Sequence, residues 1–534
     1  MSLGRFGELL NGPHIAEGWQ LKTLVQPSRL VGANGMRFGP DGRLYVAQAF
    51  GGQISAYNLD TSETQIVSGA DGQIIAPDDL AFDSKGNLFA TEVMSARVSA
   101  RRANGDVQVI ADNVPVANGI VVHNDRIFMS EFNPEGRILE LFADGSAPRI
   151  IANNLMMPNA LSMGPDNHLY FPLVPLGEVW RVHVDGGQPE RVAGEFNIPT
   201  AVKFSPDGNL VIVESGTGDV TSLDVFGGGR SRLGRTAFGI DNLVFSADGR
   251  LFVSHFTDGG VVEITTEGSE KQLIPGGMLG PFGLGMNADG KLVIADGMSI
   301  ATVSSAGLVR RPAMLLEHGF PGYVRGIAVE GSGSYICSNS AGVIARYQPG
   351  AEAEIIASEL DELMGVSILP NGNIVVAEAG AGSVLEIDGD NTISHLVQSL
   401  QRPTGVHACD DGSILITDAA DGRVIRLKDG VTDVLLEGLS EPHGITEIKG
   451  NIFVVDRGSH RLIRFDSHGG DIEIVAHQLP VGISGEMRVN TLPGIKDLMP
   501  GPLLPFSDLV AMDNGAICLG GDEDGSILMI QHSL

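Results

Sequence analysis

Six side chains at one recurring register carry the oxygen chemistry of this sequence: Asn34, Asp78, Asn118, Asn159, Thr200 and Asp241. If their positions converge, two carboxylates and three carboxamides present hard oxygen donors to one axis. That set suits a divalent cation (Ca, Mg, Mn or Zn) held by oxygen ligands. Glu92, Glu131, Glu214 and His255 follow at a second register and offer further ligands, a general base or hydrogen bonds to a substrate. The second half of the chain places Phe282, Arg325, Met364, Thr404, His443 and Ser507 at the first register, with no carboxylate in place, although Asp508 lies one residue on. Arg325 and His443 there serve either an anion or catalytic site, or plug a channel by hydrogen bonding.

The elements that would position these residues are repeats. Each marked residue opens a short strand, as in Pro158-Asn159-Ala160-Leu161, followed by a tight turn and a second strand such as Leu169-Tyr170-Phe171. Turn residues recur at the matching offset in Pro40-Asp41-Gly42, Pro206-Asp207-Gly208, Ala247-Asp248-Gly249 and Asp410-Asp411-Gly412, where Asp and Gly supply side-chain turn bonds and positive φ. A period of roughly 40 residues is that of four-stranded propeller blades, and it predicts twelve of them. One ring of twelve exceeds the usual size of about four to eight blades, so two tandem six-bladed β-propellers are expected, although a five-plus-seven division satisfies the same spacing. The expected layout is an extension over 1–18, a first ring over 19–266, and a second over 267–534 with an insertion at 483–505 acting as lid or strut. In it the strand Trp19-Gln20-Leu21-Lys22-Thr23-Leu24-Val25 completes the sixth blade, and Glu270-Lys271-Gln272-Leu273-Ile274 completes the twelfth.

A formal charge of −30 over 534 residues disfavours nucleic acid and anionic membranes as partners and leaves a small-molecule substrate as the expected one, with oligomeric state open. Three widely separated cysteines form no disulfide or zinc pattern. Residues 1–18 lack a basic start followed by an apolar run, and no segment is long and apolar enough to span a bilayer, so a cytoplasmic location is expected.

Ala117-Asn118-Gly119-Ile120, Pro158-Asn159-Ala160-Leu161 and Ile240-Asp241-Asn242-Leu243, each followed by strand, turn and strand, resemble the senescence marker protein/gluconolactonase/luciferin-regenerating superfamily of six-bladed propellers, with similarity also to NHL-repeat proteins. The resemblance implies that Asn159 and Asp241 ligate a divalent metal, that Asn118 is a ligand or substrate contact, and that Asp241 is the base in lactone hydrolysis. The sequence departs from that family in the first blade, where Asn34 stands for the family's Glu and Asp78 is the compensating carboxylate.

The expected function is therefore metal-dependent hydrolysis of a small cyclic ester at the mouth of the first ring. Asp241, Glu131 and His255 are the catalytic candidates, and Asn159, Asp241 and Asp78 the metal ligands. Asn118, Asn34, Glu92, Glu214, Arg325 and His443 are the substrate contacts. Alternatives are a lyase or isomerase acting on a small cyclic substrate through Arg325 and His443, and a non-catalytic binding scaffold.

Overall fold

The computed structural model describes every residue except 1, 8, 11, 332, 467–470, 483–498, 500, 502 and 534. Most of the insertion at 483–505, expected as a lid or strut, lies outside the described residues. Among them the chain builds twelve antiparallel blades, eleven with four strands and one widened to five by His14–Ile15. Eleven blades have their four strands as an up-and-down meander of adjacent hairpins, as the turn residues dictate, and the twelfth takes its outer strand from elsewhere in the chain.

Two closed rings result. The innermost strand of the sixth blade, Ile240–Phe245, lies beside that of the first, Met36–Phe38. Ser254 Oγ donates to the Asn34 carbonyl at 2.7 Å across this seam. In the second ring Gly283–Met286 lies beside Leu509–Ala511, and Leu284 N–H donates to Asp508 Oδ2 at 3.0 Å. Apolar side chains of neighbouring blades interdigitate between the sheets, so each blade is buried on both faces.

The outer strands are assigned differently from the sequence expectation. Glu270–Ile274 pairs with Val261–Ile264 and completes the sixth blade, whereas Trp19–Val25 pairs with Ser526–His532 and completes the twelfth. The physical reason is loop closure. Glu270 follows Ile264 through a five-residue turn, with Gly268 at φ +79° and Gly268 N–H on the Thr265 carbonyl. A local hairpin orders far less chain than a distant partner does. The strand left without a local partner, Ser526–His532, is covered by the remaining edge, and Trp19 then packs on Phe453 and His532. The first ring is thus continuous in sequence, while the second contains the segment that precedes it. The two connections run side by side: a Cβ placed on Gly277 would lie 3.0 Å from the Gln26 carbonyl.

The rings meet face to face at their strand-entry ends. Phe50 of the first ring stacks on Tyr323 of the second with centroids 5.9 Å apart and planes 4° from parallel. One apolar cluster joins Val93, Phe132 and Phe256 to Phe282, Met298 and Met364. Arg311 of the second ring reaches Asp258 of the first at 3.7 Å and donates to the Gly277 carbonyl at 2.7 Å.

Candidate functional site

The positions of Asn118 and Asp241 originate in backbone irregularity. The inner strands are bulged between Ala117 and Ile120 and between Ile240 and Leu243. An extra residue at such a point re-aims the side chain beside it. A hydroxyl on the facing second strand fills each gap. Ser130 Oγ takes the Gly119 N–H at 3.0 Å and donates to the Asn159 carbonyl of the next blade at 3.0 Å. Ser254 does the same with Asn242 N–H and the Asn34 carbonyl, and Thr91 with Asp79 N–H and the Asn118 carbonyl. These hydroxyls fix the backbone of each entry residue to its neighbour. Gly119 permits the close approach, since a Cβ there would sit 2.6 Å from the Ala160 Cα.

Five of the six first-ring entry residues, Asn34, Asp78, Asn118, Asn159 and Asp241, line one cavity of about 80 Å³ under the second ring. Thr200 does not; it is fully buried and donates to the Ile240 carbonyl at 3.0 Å. Burial holds Asp78 well above the ordinary carboxylate range, and the charges of Asp241 and Asp79 push the same way. Asp241, with intermediate exposure towards the cavity, is raised to about 7 by burial and by Asp79, against a hydrogen bond from Asn34 that favours its ionised form. Asn118 Oδ1 is buried without a hydrogen-bond partner. Asn159 Oδ1 accepts from Ala160 N–H at 2.7 Å and Asn34 Oδ1 from Ala49 N–H at 3.1 Å, leaving each oxygen one further lone pair. No three His, Cys, Asp or Glu side chains cluster as metal ligands among the described residues, so any cation here would rest on two carboxylates plus carboxamide oxygens. That donor set fits a hard divalent ion.

The second-register residues lie elsewhere: Glu92, Glu214 and His255 bond the loops that enter their blades, and Glu131 pairs within its own hairpin. Glu92 accepts from Ile75 N–H, Arg97 and Ser99. Glu131 is held by both nitrogens of Arg137 in a bidentate pair. Glu214 accepts from Asn197 N–H at 2.9 Å and Thr221 at 2.8 Å, and His255 Nε2 meets Thr236 Oγ1 at 3.2 Å. None of the four lines the cavity. Asp418 and Asp456 repeat the latch in the second ring, so it is a device of the blade.

The second-ring mouth is filled. Arg325, fully buried, donates to the carbonyls of Leu504 and Leu363, and burial lowers it to about 10. His443 is buried, accepts from Ser507 N–H through Nδ1 at 3.3 Å, and has Nε2 3.5 Å from Glu441. Burial lowers its proton affinity. Neither residue reaches the first-ring cavity.

Residues absent from the sequence reading shape the site as well. The Asp79 carboxylate turns between blades, accepting from Leu80 N–H at 2.9 Å and Ile120 N–H at 3.1 Å, with Arg37 3.8 Å away. Phe50, Phe132, Leu315 and Leu316 wall the cavity. The hydroxyls at Thr91, Ser130 and Ser254 recur as Ser338 and Thr417 in the second ring, with the same two bonds, and so mark the blade register; the apolar loop residues have no such periodicity.

No protein-family model matches the sequence, and no curated protein matches it. Solved structures similar to the chain include virginiamycin B lyase from Staphylococcus aureus, at 17% identity over 52% of this chain and 96% of that one, with a TM-score of 0.39. A gluconolactonase from Xanthomonas campestris matches at 18% identity over 46% and 92%, with a TM-score of 0.38. The extracellular domain of BT4673 from B. thetaiotaomicron spans 96% of this chain and 82% of its own at 10% identity, with a TM-score of 0.33. Identities this low bear on the fold alone.

Proposed function

We propose that the protein hydrolyses an ester of the lactone type at the cavity where Asp78 and Asp241 meet. The observation that carries this reading is the convergence of two carboxylates on one cavity, Asp78 held well above the ordinary carboxylate range and Asp241 raised to about 7, with an unpaired carboxamide oxygen, Asn118 Oδ1, in the same lining. Such a pair can hold and hand over a proton. Asp241 in its ionised form takes a proton from water, whose oxygen bonds to the ester carbonyl carbon. The acyl–oxygen bond then breaks, and the leaving alkoxide recovers a proton from the carboxyl of Asp78 or Asp241, giving a carboxylic acid and an alcohol, which for a lactone are the two ends of one hydroxy acid. Asn34 orients Asp241 through its amide, and Asn118 Oδ1 accepts from the water or the substrate hydroxyl. Asp78, Asp241, Asn159 and Asn118 are the residues that would hold a divalent cation. Such a cation, when bound, would polarise the carbonyl.

The test is metal analysis of purified protein followed by assay on a lactone panel. Asp241→Ala is expected to lower turnover by about 10²-fold or more and to weaken cation binding. Full turnover in that variant would refute the assignment.

A further inference from the structure

A second space adjoins the acidic cavity. Along the seam between the rings runs an open cleft of about 1410 Å³, and three of its residues, Phe132, Leu315 and Leu316, also wall the cavity. The two spaces are therefore separated by single side chains. At about 80 Å³ the cavity is far smaller than the cleft beside it. It can take the reacting end of a ligand and little else.

The cleft has a direction. Its inner end is apolar, built from Phe132, Met157, Val174 and Ile198 of the first ring and Leu315 and Leu316 of the second. Its outer end is polar, where the Arg230 guanidinium lies 4.0 Å over the Phe196 ring and 3.5 Å from Glu214. Leu316 adopts φ +78°, a backbone state disfavoured for side chains other than glycine and concentrated at ligand clamps. The turn bearing it is tied to the cavity wall by Leu315 N–H on the Met298 carbonyl at 2.7 Å.

We propose that this cleft binds the apolar body of the substrate, and that Phe132, Leu315 and Leu316 form the constriction through which its ester end reaches Asp78 and Asp241. The substrate class is an ester or lactone carrying a sizeable apolar group, not a bare sugar lactone. The inference rests on the hydrolase reading above, but its binding half can fail or stand separately.

The experiment uses the full-length protein with two probes. The first is a series of para-nitrophenyl esters from acetate to octanoate. Each added methylene that enters the apolar end should raise kcat/KM by up to about fourfold, and Leu316→Gly, which suits the positive φ, should flatten that slope. The second is 2-decanone, an unreactive ketone, titrated calorimetrically against wild type and Asp241→Asn. It should bind both, and Val174→Trp, which fills the inner cleft, should weaken it by at least about tenfold. Ketone binding lost in Val174→Trp, with no ester turned over, would uphold the cleft and sink the hydrolase reading. Acetate and octanoate hydrolysed equally well, or no ketone bound, would overturn the cleft assignment.

Discussion

At the scale of single residues, the fold keeps two carboxylates where their ionisation is unfavourable. The folded-state proton affinity of Asp241 is raised, so its contribution to stability is complete below its ordinary range near 4 and is lost as pH rises through about 7. Asp241→Asn removes that loss. Its stabilising effect should be near zero at pH 4, grow with pH, and level off above pH 7, at about 1.4 kcal/mol for each unit by which the folded group is raised. Calorimetric melts of the cation-free protein at a series of pH values check this. A pH-independent difference would show that Asp241 ionises freely. A saturating divalent cation should erase the difference in the wild type's favour, since it compensates the paired charge directly. The more stable variant is the one expected to be inactive, a common relation at sites that store unfavourable charge.

At the scale of elements, a blade carries two polar devices, and both recur in the two rings. The latch at the end of the second strand is repeated from Glu92 to Asp456 and holds loops. The hydroxyl one position earlier stitches blade to blade. Glu92→Ala should therefore cost about 2 kcal/mol of stability while leaving residual turnover per folded molecule near that of the wild type, measured by denaturant titration beside the assay. A collapse of turnover with unchanged stability would instead return Glu92 to the site. Much of this level is legible in sequence. The Asp-Gly turns fix strand spacing, and the entry register locates Asn34, Asp78, Asn118, Asn159 and Asp241, because each turn and bulge is a local event. The roles of Glu92, Glu131, Glu214 and His255 are not legible, since a carboxylate two strands from an axis can face the channel or the loop beside it. The partner of Trp19–Val25 was equally hidden: two edge strands of similar character compete, and the entropy of closing the chain decides between them.

At the scale of the whole molecule, the face-to-face packing places apolar side chains of the second ring, Met298, Leu315 and Leu316, over the channel mouth of the first. Nothing in the apolar loop residues Phe50, Leu315 and Leu316 announces this from sequence, because loops have no period to read. No helix among the described residues is long and apolar enough to cross a membrane. The nearness of Gln26 and Gly277 has a further consequence. The first ring is a guest inserted between two neighbouring blades of its host, after the strand Trp19–Val25 and before Gly283–Met286, entering and leaving through adjacent points. Joining Gln26 directly to Gly277 should excise the guest and leave a host propeller whose twelfth blade is still closed by Trp19–Val25. Circular dichroism and calorimetry of that shortened chain should show an all-β protein with one cooperative transition, and an unfolded product would mean that the host needs the guest's face. On this architecture the protein is a nested pair, in which the first propeller is joined to the second at a single two-stranded junction.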